Sequence, residues 1–461
     1  MNLNFQPFRI SDIPLFQQCL RDSGRVCDHV FANLFCWREH YGNQWAAYAD
    51  RLIIRSLSAA SHGLPKYMIY PNIHTTALPQ ILEQIGEDAG ADGYILLQLS
   101  DKEQQTLEQL YPDGFLYDNL RYRADYLYET RAFQTFSGRK LAAKRNHVNK
   151  FKSLYSYHYE PLTRKHFDAC LQLLRQWREA YTGNAAHLDR EEVAIRRFLE
   201  HFEEFGLLGG TLFVEDNLVA FTFGSPINSH TIDTHVEKAD TRYEGVFPMI
   251  SQQFALHLPL QYTHINREED LGLPGLRQSK LSYQPLQLVE KRTARLADDK
   301  LRGIVQLWQA CFHDETAFVH ACLSRYYDRR RVFTRKLDGR VVAVCLLIPC
   351  ACEVGQVGYL YGIATEEAYR RQGLAGAVIR EAIGYARACA MDAVALIPEN
   401  EDLRRYYEKF GFLAHALPVR FTNDCDLGTG DVTRDQASVL WLREAMPLPE
   451  ELTLTAEEMM I

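Results

Sequence analysis

Residues 361–376 read YGIATEEAYRRQGLAG, a pattern that predicts a strand, a turn and the start of a helix. The turn has the form R-x-x-G-x-A, with Arg370, Gly373 and Ala375 at its defining positions. The first turn of a helix leaves backbone N–H groups unpaired, and such groups bind anions. Glycine at position 373 lets the backbone come close to a phosphate, because glycine has no Cβ. The spacing therefore predicts a loop that binds pyrophosphate.

A second motif follows the next predicted strand. Asn400 stands just after VALIP, residues 394–398, and Tyr407 begins the run YEKFGF. An asparagine at a strand end can hydrogen-bond a ligand amide, and a tyrosine two helical turns later can offer its hydroxyl proton to a leaving group. The competing interpretation of Tyr407 is a core aromatic residue. Together the two motifs predict a site that binds a ligand and acts on it.

The elements around these motifs occur twice along the chain. Residues 297–443 predict two helices, three strands, a helix, a strand, a helix and a further strand, and residues 164–283 predict the same order as far as they go. The chain up to about residue 135 is less regular, and it is either a degenerate third copy or a lobe packed against the second. Polar residues at 135–138 and 290–299 predict two linkers.

Length and composition exclude several classes of protein. At about 150 residues per domain, 461 residues predict two or three domains, and 47% hydrophobic with 24% charged residues excludes a disordered or fibrous chain. A net charge of −8 argues against DNA as a partner. The longest run without charged or strongly polar residues, 341–352, is too short to cross a membrane. With no signal peptide and no CxxC pair, we expect a cytoplasmic protein with no metal site.

The paired motifs resemble the GNAT family of acyl-CoA-dependent N-acetyltransferases, over about residues 295–443. The resemblance implies that Tyr407 protonates the departing CoA thiolate, and that residues 363–365 pair with the pantetheine arm beside a bulge in the neighbouring strand. Glu353 and Tyr361 are the candidates for the general base, with a solvated carboxylate as the competing interpretation of Glu353. The resemblance implies acetyl-CoA as cofactor, bound by Ile363, Ala364, Thr365, Arg370, Arg371, Gln372, Gly373, Leu374, Ala375, Gly376 and Asn400.

The middle unit differs at the position of the predicted phosphate loop. It reads RYEGVF over residues 242–247, so Phe247 replaces a small residue, and we do not expect ordinary CoA binding there. Ionisable residues gather instead at the ends of its strands, which is typical of either a ligand pocket or an ion-pair network. The candidate residues of this second site are Arg145, Asn146, His235, Glu237, Asn266, Arg267, Glu269, Asp270, Arg277 and Lys280.

A basic helix is predicted over residues 139–152, with six Lys or Arg among fourteen residues. It is either a solvated face or a surface that holds a phosphorylated or carboxylated ligand. The blocks GRKLAAKRNHVNKFK, HVEKA and INREEDLGLPGLRQSKLSYQP resemble the DUF2156 family, which is related to the C-terminal domain of phosphatidylglycerol lysyltransferase. This resemblance spans about residues 5–292 and implies two GNAT-like lobes in tandem.

The chain is thus expected to be mixed α/β, with tandem GNAT-like folds whose mixed central sheets are flanked by helices. The expected domains are a degenerate lobe (1–135), a second lobe (136–292) and an acetyltransferase (293–461). The leading hypothesis is acetyl transfer from acetyl-CoA to a primary amine of a small molecule or peptide, by direct attack. One alternative is aminoacyl transfer from a charged tRNA by residues 1–292, against which the net charge counts. The other is that residues 1–292 form a non-catalytic ligand-sensing or scaffold module.

Overall fold

The computed structural model describes most of the chain. The described residues are 3–20, 24–57, 64–179, 186–353, 355–413, 417–421, 435–442 and 451–456. The last strand region predicted from the sequence, at about residues 412–443, is described only in part, because residues 414–416, 422–434 and 443 lie outside these ranges. Within the described ranges, none of the helices has the length and apolar composition needed to cross a bilayer.

The first part of the chain alternates strands and short helices. Its strands are β1 (Gln6–Pro7), β2 (Gln44–Tyr48), β3 (Arg51–Ser56), β4 (Lys66–Tyr70), β5 (Ile95–Leu99) and β6 (Phe115–Asp118). Its helices are α1 (Ile13–Leu20), α2 (Phe31–Cys36), α3 (Arg38–Tyr41), α4 (Leu78–Ala89) and α5 (Asp101–Leu110).

The middle part begins with a strand and contains the basic helix. Its strands are β7 (Asp125–Glu129), β8 (Tyr157–Pro161), β9 (Leu208–Val214), β10 (Asn217–Pro226), β11 (Thr231–Ala239), β12 (His264–Asn266) and β13 (Gln287–Val289). Its helices are α6 (Thr130–Thr135), α7 (Ala142–Leu154), α8 (Phe167–Glu179), α9 (Ala186–Glu200), α10 (Val246–His257) and α11 (Pro274–Leu281).

The last part carries the sequence motifs. Its strands are β14 (Arg292–Leu296), β15 (Val332–Leu337), β16 (Arg340–Cys352), β17 (Gly355–Thr365), β18 (Ala393–Leu396), β19 (Leu417–Phe421), β20 (Gln436–Trp441) and β21 (Leu452–Ala456). Its helices are α12 (Asp299–Phe312), α13 (Thr316–Tyr326), α14 (Leu374–Ala388) and α15 (Glu401–Glu408).

The described strands form three seven-stranded mixed sheets. Their orders are β1-β2-β3-β4-β5-β14-β6, then β13-β7-β12-β11-β10-β9-β8, and finally β15-β16-β17-β18-β20-β19-β21. Each sheet contains a parallel pair joined through a helix, namely β4-α4-β5, β11-α10-β12 and β17-α14-β18. The expected mixed α/β class with tandem units is therefore confirmed. The crossover in the first sheet supports the interpretation of the first part as a degenerate copy.

The predicted linker at residues 290–299 is wrong. Residues 292–296 form β14, which pairs with both β5 and β6 inside the first sheet. Arg295 is almost fully buried there and donates from Nη1 to the carbonyl oxygen of Ser324 at 3.2 Å. The charged residues suggested a solvated segment because their partners are distant in sequence. The expected domain division at 135 and 292 stays a prediction, although β14 joins the first sheet and β7 joins the second.

Apolar residues of the first two parts share one core. Phe16 and Phe31, on α1 and α2, belong to the same buried cluster as Phe198 of α9 and Phe223 of β10. Burying such side chains stabilises the contact by about 1.5–3 kcal/mol each. The first and second lobes therefore pack face to face, and residues near this contact can build a site from both.

Candidate functional site

The third sheet is split beside the predicted phosphate loop. β17 pairs with β18 at residues 357–359, opposite 393–395, and then continues alone on that side to Thr365. Among the described strands, none adjoins this edge of residues 360–365. A free strand edge offers N–H and C=O groups to an extended ligand. The split therefore places residues 363–365 where a linear ligand arm can pair with the backbone.

A β-bulge shapes the same segment. Val344 pairs with Ala364 and Leu346 pairs with Tyr361, so the extra residue lies on β17. The expected bulge in the neighbouring strand is thus wrong in its location, because the sequence does not show which strand carries the extra residue. Gly362 has φ +58° within the bulge, and a Cβ there would come within 2.4 Å of the Trp308 ring. Only glycine fits this position.

The start of α14 is open. Gly373 is the N-cap residue of the helix and has φ +81°. A Cβ built on Gly373 would meet no atom within 4 Å, and no side chain caps the backbone N–H groups at this end of the helix. Arg371, Gln372 and Gly373 are exposed. Arg370 donates from Nε to the carbonyl oxygen of Thr365 at 3.2 Å and so closes the loop back onto β17. The structure thus brings the predicted loop residues together around unblocked backbone N–H groups.

Asn400 and Tyr407 stand at the two ends of α15. Asn400 is the N-cap of this helix, and its Oδ1 accepts a hydrogen bond from the backbone N–H of Leu403 at 3.0 Å. The oxygen of the side-chain amide is therefore used within the protein. Tyr407 is buried beside Phe412 and Tyr406. Burial raises the pKa of Tyr407, so its hydroxyl keeps its proton at neutral pH. A proton donor requires that state.

The two candidate bases lie in different parts of the third sheet. Cys345, beside Tyr407 in the same core cluster, is seven residues from Cys352 at the end of β16. At about 3.3 Å per residue this is roughly 23 Å, and Glu353 lies beyond it in an exposed turn. The structure therefore does not bring Glu353 to Tyr407. Tyr361 lies next to the bulge, with its ring 5.5 Å from that of Trp308.

The equivalent helix start in the middle unit is blocked. Gly245 precedes α10 with φ +82°, but a Cβ there would come within 2.3 Å of the carbonyl oxygen of His147 on α7. An ion pair of 2.7 Å between Lys150 and Glu244 holds the two segments together. A carbonyl oxygen at this place repels phosphate as well as filling its space. The block therefore comes from α7, whereas the sequence analysis attributed it to Phe247.

The two α7 residues predicted for the second site do not join the strand-end cluster. Arg145 donates from Nη1 to the carbonyl oxygen of Phe136 at 2.6 Å and braces the connection between α6 and α7. Asn146 is exposed on α7. Their roles here are local to the helix and its solvent face.

One group of the strand-end residues is an ion-pair network. Asp270 is fully buried and accepts hydrogen bonds from Arg121 at 2.8 Å, Tyr126 at 2.6 Å and Arg277 at 3.0 Å. Burial alone would raise the pKa of Asp270, but the hydrogen bonds from Arg277 and Tyr126 lower it. These residues satisfy one another, as the competing network interpretation expects.

A second group ties α11 and β11 together. Arg267 donates to Oε1 of Glu237 at 2.7 Å, and Ser251 donates to Oε2 of the same carboxylate at 2.7 Å. Lys280 donates from Nζ to the carbonyl oxygen of Arg267 at 2.5 Å and to that of Glu268 at 3.2 Å. These cations are likewise used within the protein.

A third group of polar residues, which we call the interlobe cluster, connects segments of the first and second sheets. Its members are Asp28, Asp125, Asn266, Glu269 and Lys291. The Lys291 ammonium lies 2.5 Å from Asp28, 2.5 Å from Asp125 and 3.1 Å from Glu269. Asn266 donates from Nδ2 to Asp125 at 2.8 Å. Of these residues, only Asn266 and Glu269 are among the candidates that the sequence predicts. No local pattern reveals the others, since Asp28 and Lys291 are far apart in the chain.

The charges of the interlobe cluster depend on one another. Burial would lower the pKa of Lys291, but Asp125 and Asp28 raise it well above its ordinary value. Burial raises the pKa of Asp125 to about 6 although Lys291 opposes the shift. The pKa of Asp28 is about 2, because Lys291 outweighs the effect of burial there. The single ammonium therefore keeps neighbouring carboxyl groups ionised.

His235 lies beside this cluster and faces a serine. Its Nδ1 is 3.3 Å from Oε1 of Glu268, and its Nε2 is 2.7 Å from the hydroxyl oxygen of Ser225. The sequence analysis singled out His235 but missed Ser225. Serine and histidine stand ten residues apart on neighbouring strands, a spacing without a sequence signature.

Two protein-family models match this chain. Residues 23–295 match the family model of phosphatidylglycerol lysyltransferase, C-terminal, and residues 299–412 match that of the GNAT acetyltransferases. These matches confirm both resemblances, and acyl transfer is the chemistry common to the two families.

Individual proteins are also similar to this chain. A conserved protein of unknown function from Bacteroides thetaiotaomicron is 36% identical, with 64% of this chain and 99% of that chain covered and a TM-score of 0.59. L-PGS from Bacillus licheniformis is 15% identical, with 64% and 94% covered and a TM-score of 0.44. An uncharacterised protein of Mycoplasmoides gallisepticum is 27% identical over 175 residues, 36% of this chain and 54% of that protein. The chain thus spans about half the length of this curated relative.

The interlobe cluster predicts a pH-dependent loss of stability in Lys291→Met. Without the ammonium, burial raises the pKa values of Asp28, Asp125 and Glu269 above their unfolded values, so the ionised carboxylates destabilise the fold at neutral pH by about 3–5 kcal/mol. This penalty disappears as the pH falls and the carboxyl groups take up protons. Urea unfolding at pH 7.5 and pH 5 measures it, with exposed Lys102→Met on α5 as the control. A deficit that does not shrink at pH 5 would contradict the interpretation.

Proposed function

The chain belongs to the family of phosphatidylglycerol lysyltransferase C-terminal domains, and we propose that its two parts transfer acyl groups from different donors. In the last part, the proposed reaction moves an acetyl group from acetyl-CoA to a primary amine of a small molecule or peptide, in the cytoplasm. The observation that carries this proposal is the open start of α14 beside the split between β17 and β18. The middle unit has the same helix start but no such opening.

Each residue of this site then has a definite task. Acetyl-CoA supplies the acetyl group as an activated thioester. The free edge of residues 360–365 offers backbone hydrogen bonds to its extended arm, and the N–H groups at the start of α14 offer donors to its pyrophosphate. Tyr407 holds a proton that it gives to the leaving sulfur as the amine forms its bond to the carbonyl carbon. Glu353 takes no part in deprotonating the amine, because it lies at the far end of the sheet, and Tyr361 beside the bulge is the remaining candidate base.

We expect Gly373→Glu to abolish CoA binding. The new side chain fills the open space above the helix start and puts a negative charge where the phosphates bind. Gly384→Glu is the matched control, because Gly384 lies exposed on the same helix with no atom within 4 Å of its Cβ position. Titration calorimetry on the full chain with CoA measures both. Equal CoA affinities of Gly373→Glu and wild type would contradict pyrophosphate binding by this loop.

We expect Tyr407→Phe to lower kcat by roughly 10- to 1,000-fold with little change in CoA affinity, because a general acid acts only as charge develops on sulfur. Release of CoA thiol from acetyl-CoA, measured with a panel of polyamines and peptides, gives the rate. Tyr385→Phe, on α14, is the control and should keep wild-type kcat. An unchanged kcat in Tyr407→Phe would make this tyrosine a core residue.

For residues 23–295 we propose acyl transfer from a carboxylic ester, a class that includes aminoacyl-tRNA. The observation that favours a donor other than CoA is the carbonyl of His147 on the start of α10. A cavity of about 850 Å³ between the first and second lobes offers space for such a donor. The exposed cations of α7 offer a contact for a polyanion, although the net charge of −8 limits its strength.

The test uses the full chain with radiolabelled lysyl-tRNA and alanyl-tRNA and follows loss of the aminoacyl ester. We expect discharge by wild type and by Gly373→Glu at similar rates, because the CoA loop takes no part. Discharge that CoA inhibits, or that Gly373→Glu abolishes, would contradict a separate ester-dependent site. Binding without discharge would instead favour the ligand-sensing alternative.

A further inference from the structure

The cavity between the lobes has walls of mixed polarity, which include one buried serine. α1 and α2 form one side, and the turn joining β10 to β11 forms the other. Ser225, which is 2% exposed, is part of the wall at the end of β10. The apolar lining includes Ile13, Val30, Phe31, Phe205 and Ile227. A ligand with an apolar portion can therefore lie next to the serine.

The serine belongs to a chain of hydrogen-bonding groups. Its hydroxyl oxygen is 2.7 Å from Nε2 of His235, while Nδ1 of the same ring is 3.3 Å from Glu268 and 3.4 Å from Asp233. A carboxylate accepts hydrogen bonds, so Glu268 holds the imidazole proton on Nδ1 and leaves the Nε2 lone pair free to accept from the serine. Burial and the neighbouring Glu268 raise the pKa of Asp233 well above its ordinary value, so the tautomer is assigned from Glu268. Asn33 donates to both carboxyl groups, at 3.0 and 3.3 Å, and fixes their positions.

The backbone is shaped to bring these groups together. His235 is the extra residue of a bulge between β10 and β11. A Cβ on Gly224 would lie 1.8 Å from the carbonyl oxygen of Asp233, so glycine is required for the strands to approach this closely. Phe198 stacks on the imidazole of His235 with ring centroids 4.7 Å apart and holds its plane. Bulges commonly re-aim a side chain beside an active site.

We propose that Ser225 is a nucleophile, activated by His235, that accepts the acyl group of carboxylic esters bound in this cavity. The proposal rests on ester-dependent acyl transfer by residues 23–295. The Ser225 proton passes to Nε2, its oxygen bonds to the ester carbonyl carbon, and the bond from that carbon to the alcohol oxygen breaks. The departing alcohol takes the proton from Nε2, which leaves an acyl-serine and a neutral His235. Glu268 and Asp233 act as positioning residues.

The test is covalent labelling of the full chain with an alkyl fluorophosphonate, followed by intact and peptide mass measurement. The reaction forms a bond from the serine oxygen to phosphorus and releases fluoride, so it requires no knowledge of the natural ester. We expect one adduct, on Ser225, and none in Ser225→Ala. His235→Gln should label roughly 100-fold more slowly than wild type, because its base is gone. Ser229→Ala, an exposed serine of the same cavity wall, should label like wild type.

A serine that serves only the fold forms no adduct, so a folded wild-type chain that stays unlabelled overturns the proposal. An adduct that persists in Ser225→Ala overturns it as well. Where His235→Gln fails to fold, Glu268→Gln gives the second measurement, and labelling as fast as in wild type counts against the relay. Ser225→Ala that still discharges aminoacyl esters leaves the proposed function standing and rejects the serine, whereas a labelled wild type without ester discharge rejects the donor class alone.

Discussion

The ion pairs of the buried Lys291 ammonium connect the first two sheets. It stands just before β14, a strand of the first sheet, and its carboxylate partners come from a turn of the first lobe, from β7 of the second sheet and from the segment after β12. A buried charge is tolerated only when it is paired, so these segments must be in place together. This requirement adds to the shared apolar core in holding the lobes together beside the cavity lined by Ser225.

The helix that follows a glycine has a blocked start in the middle part of the chain and an open start in the last part. Gly245 and Gly373 precede equivalent helices with nearly equal φ angles, +82° and +81°. At Gly373 the space beyond the glycine is open, whereas at Gly245 it is filled by the backbone of α7. Helix α7 thus turns the start of α10 into a packing contact, whereas the start of α14 stays open.

Buried polar groups in this molecule serve two different purposes. Asp270 has a donor for each of its oxygens and holds α11 in place, so it has no capacity left for a ligand. His235, in contrast, connects the Glu268 carboxylate on one side to the hydroxyl of Ser225, a residue of the cavity wall, on the other. The first arrangement contributes stability, and the second holds the serine that we propose as a nucleophile in the wall of the cavity.

The sequence by itself determined the strand, turn and helix around Gly373 and the repeated α/β order, because each depends on residues that are close together in the chain. It predicted a ligand contact at Asn400, whereas its role as the N-cap of α15 is visible in the structure alone. It also located most charged strand-end residues, but it did not sort them into a network and a relay. Only the tertiary structure decided that residues 292–296 form a strand, that α7 closes one helix start, and that Ser225 meets His235. These features depend on contacts between residues distant in sequence or on neighbouring strands, and burial selects such contacts only after the sheets have packed.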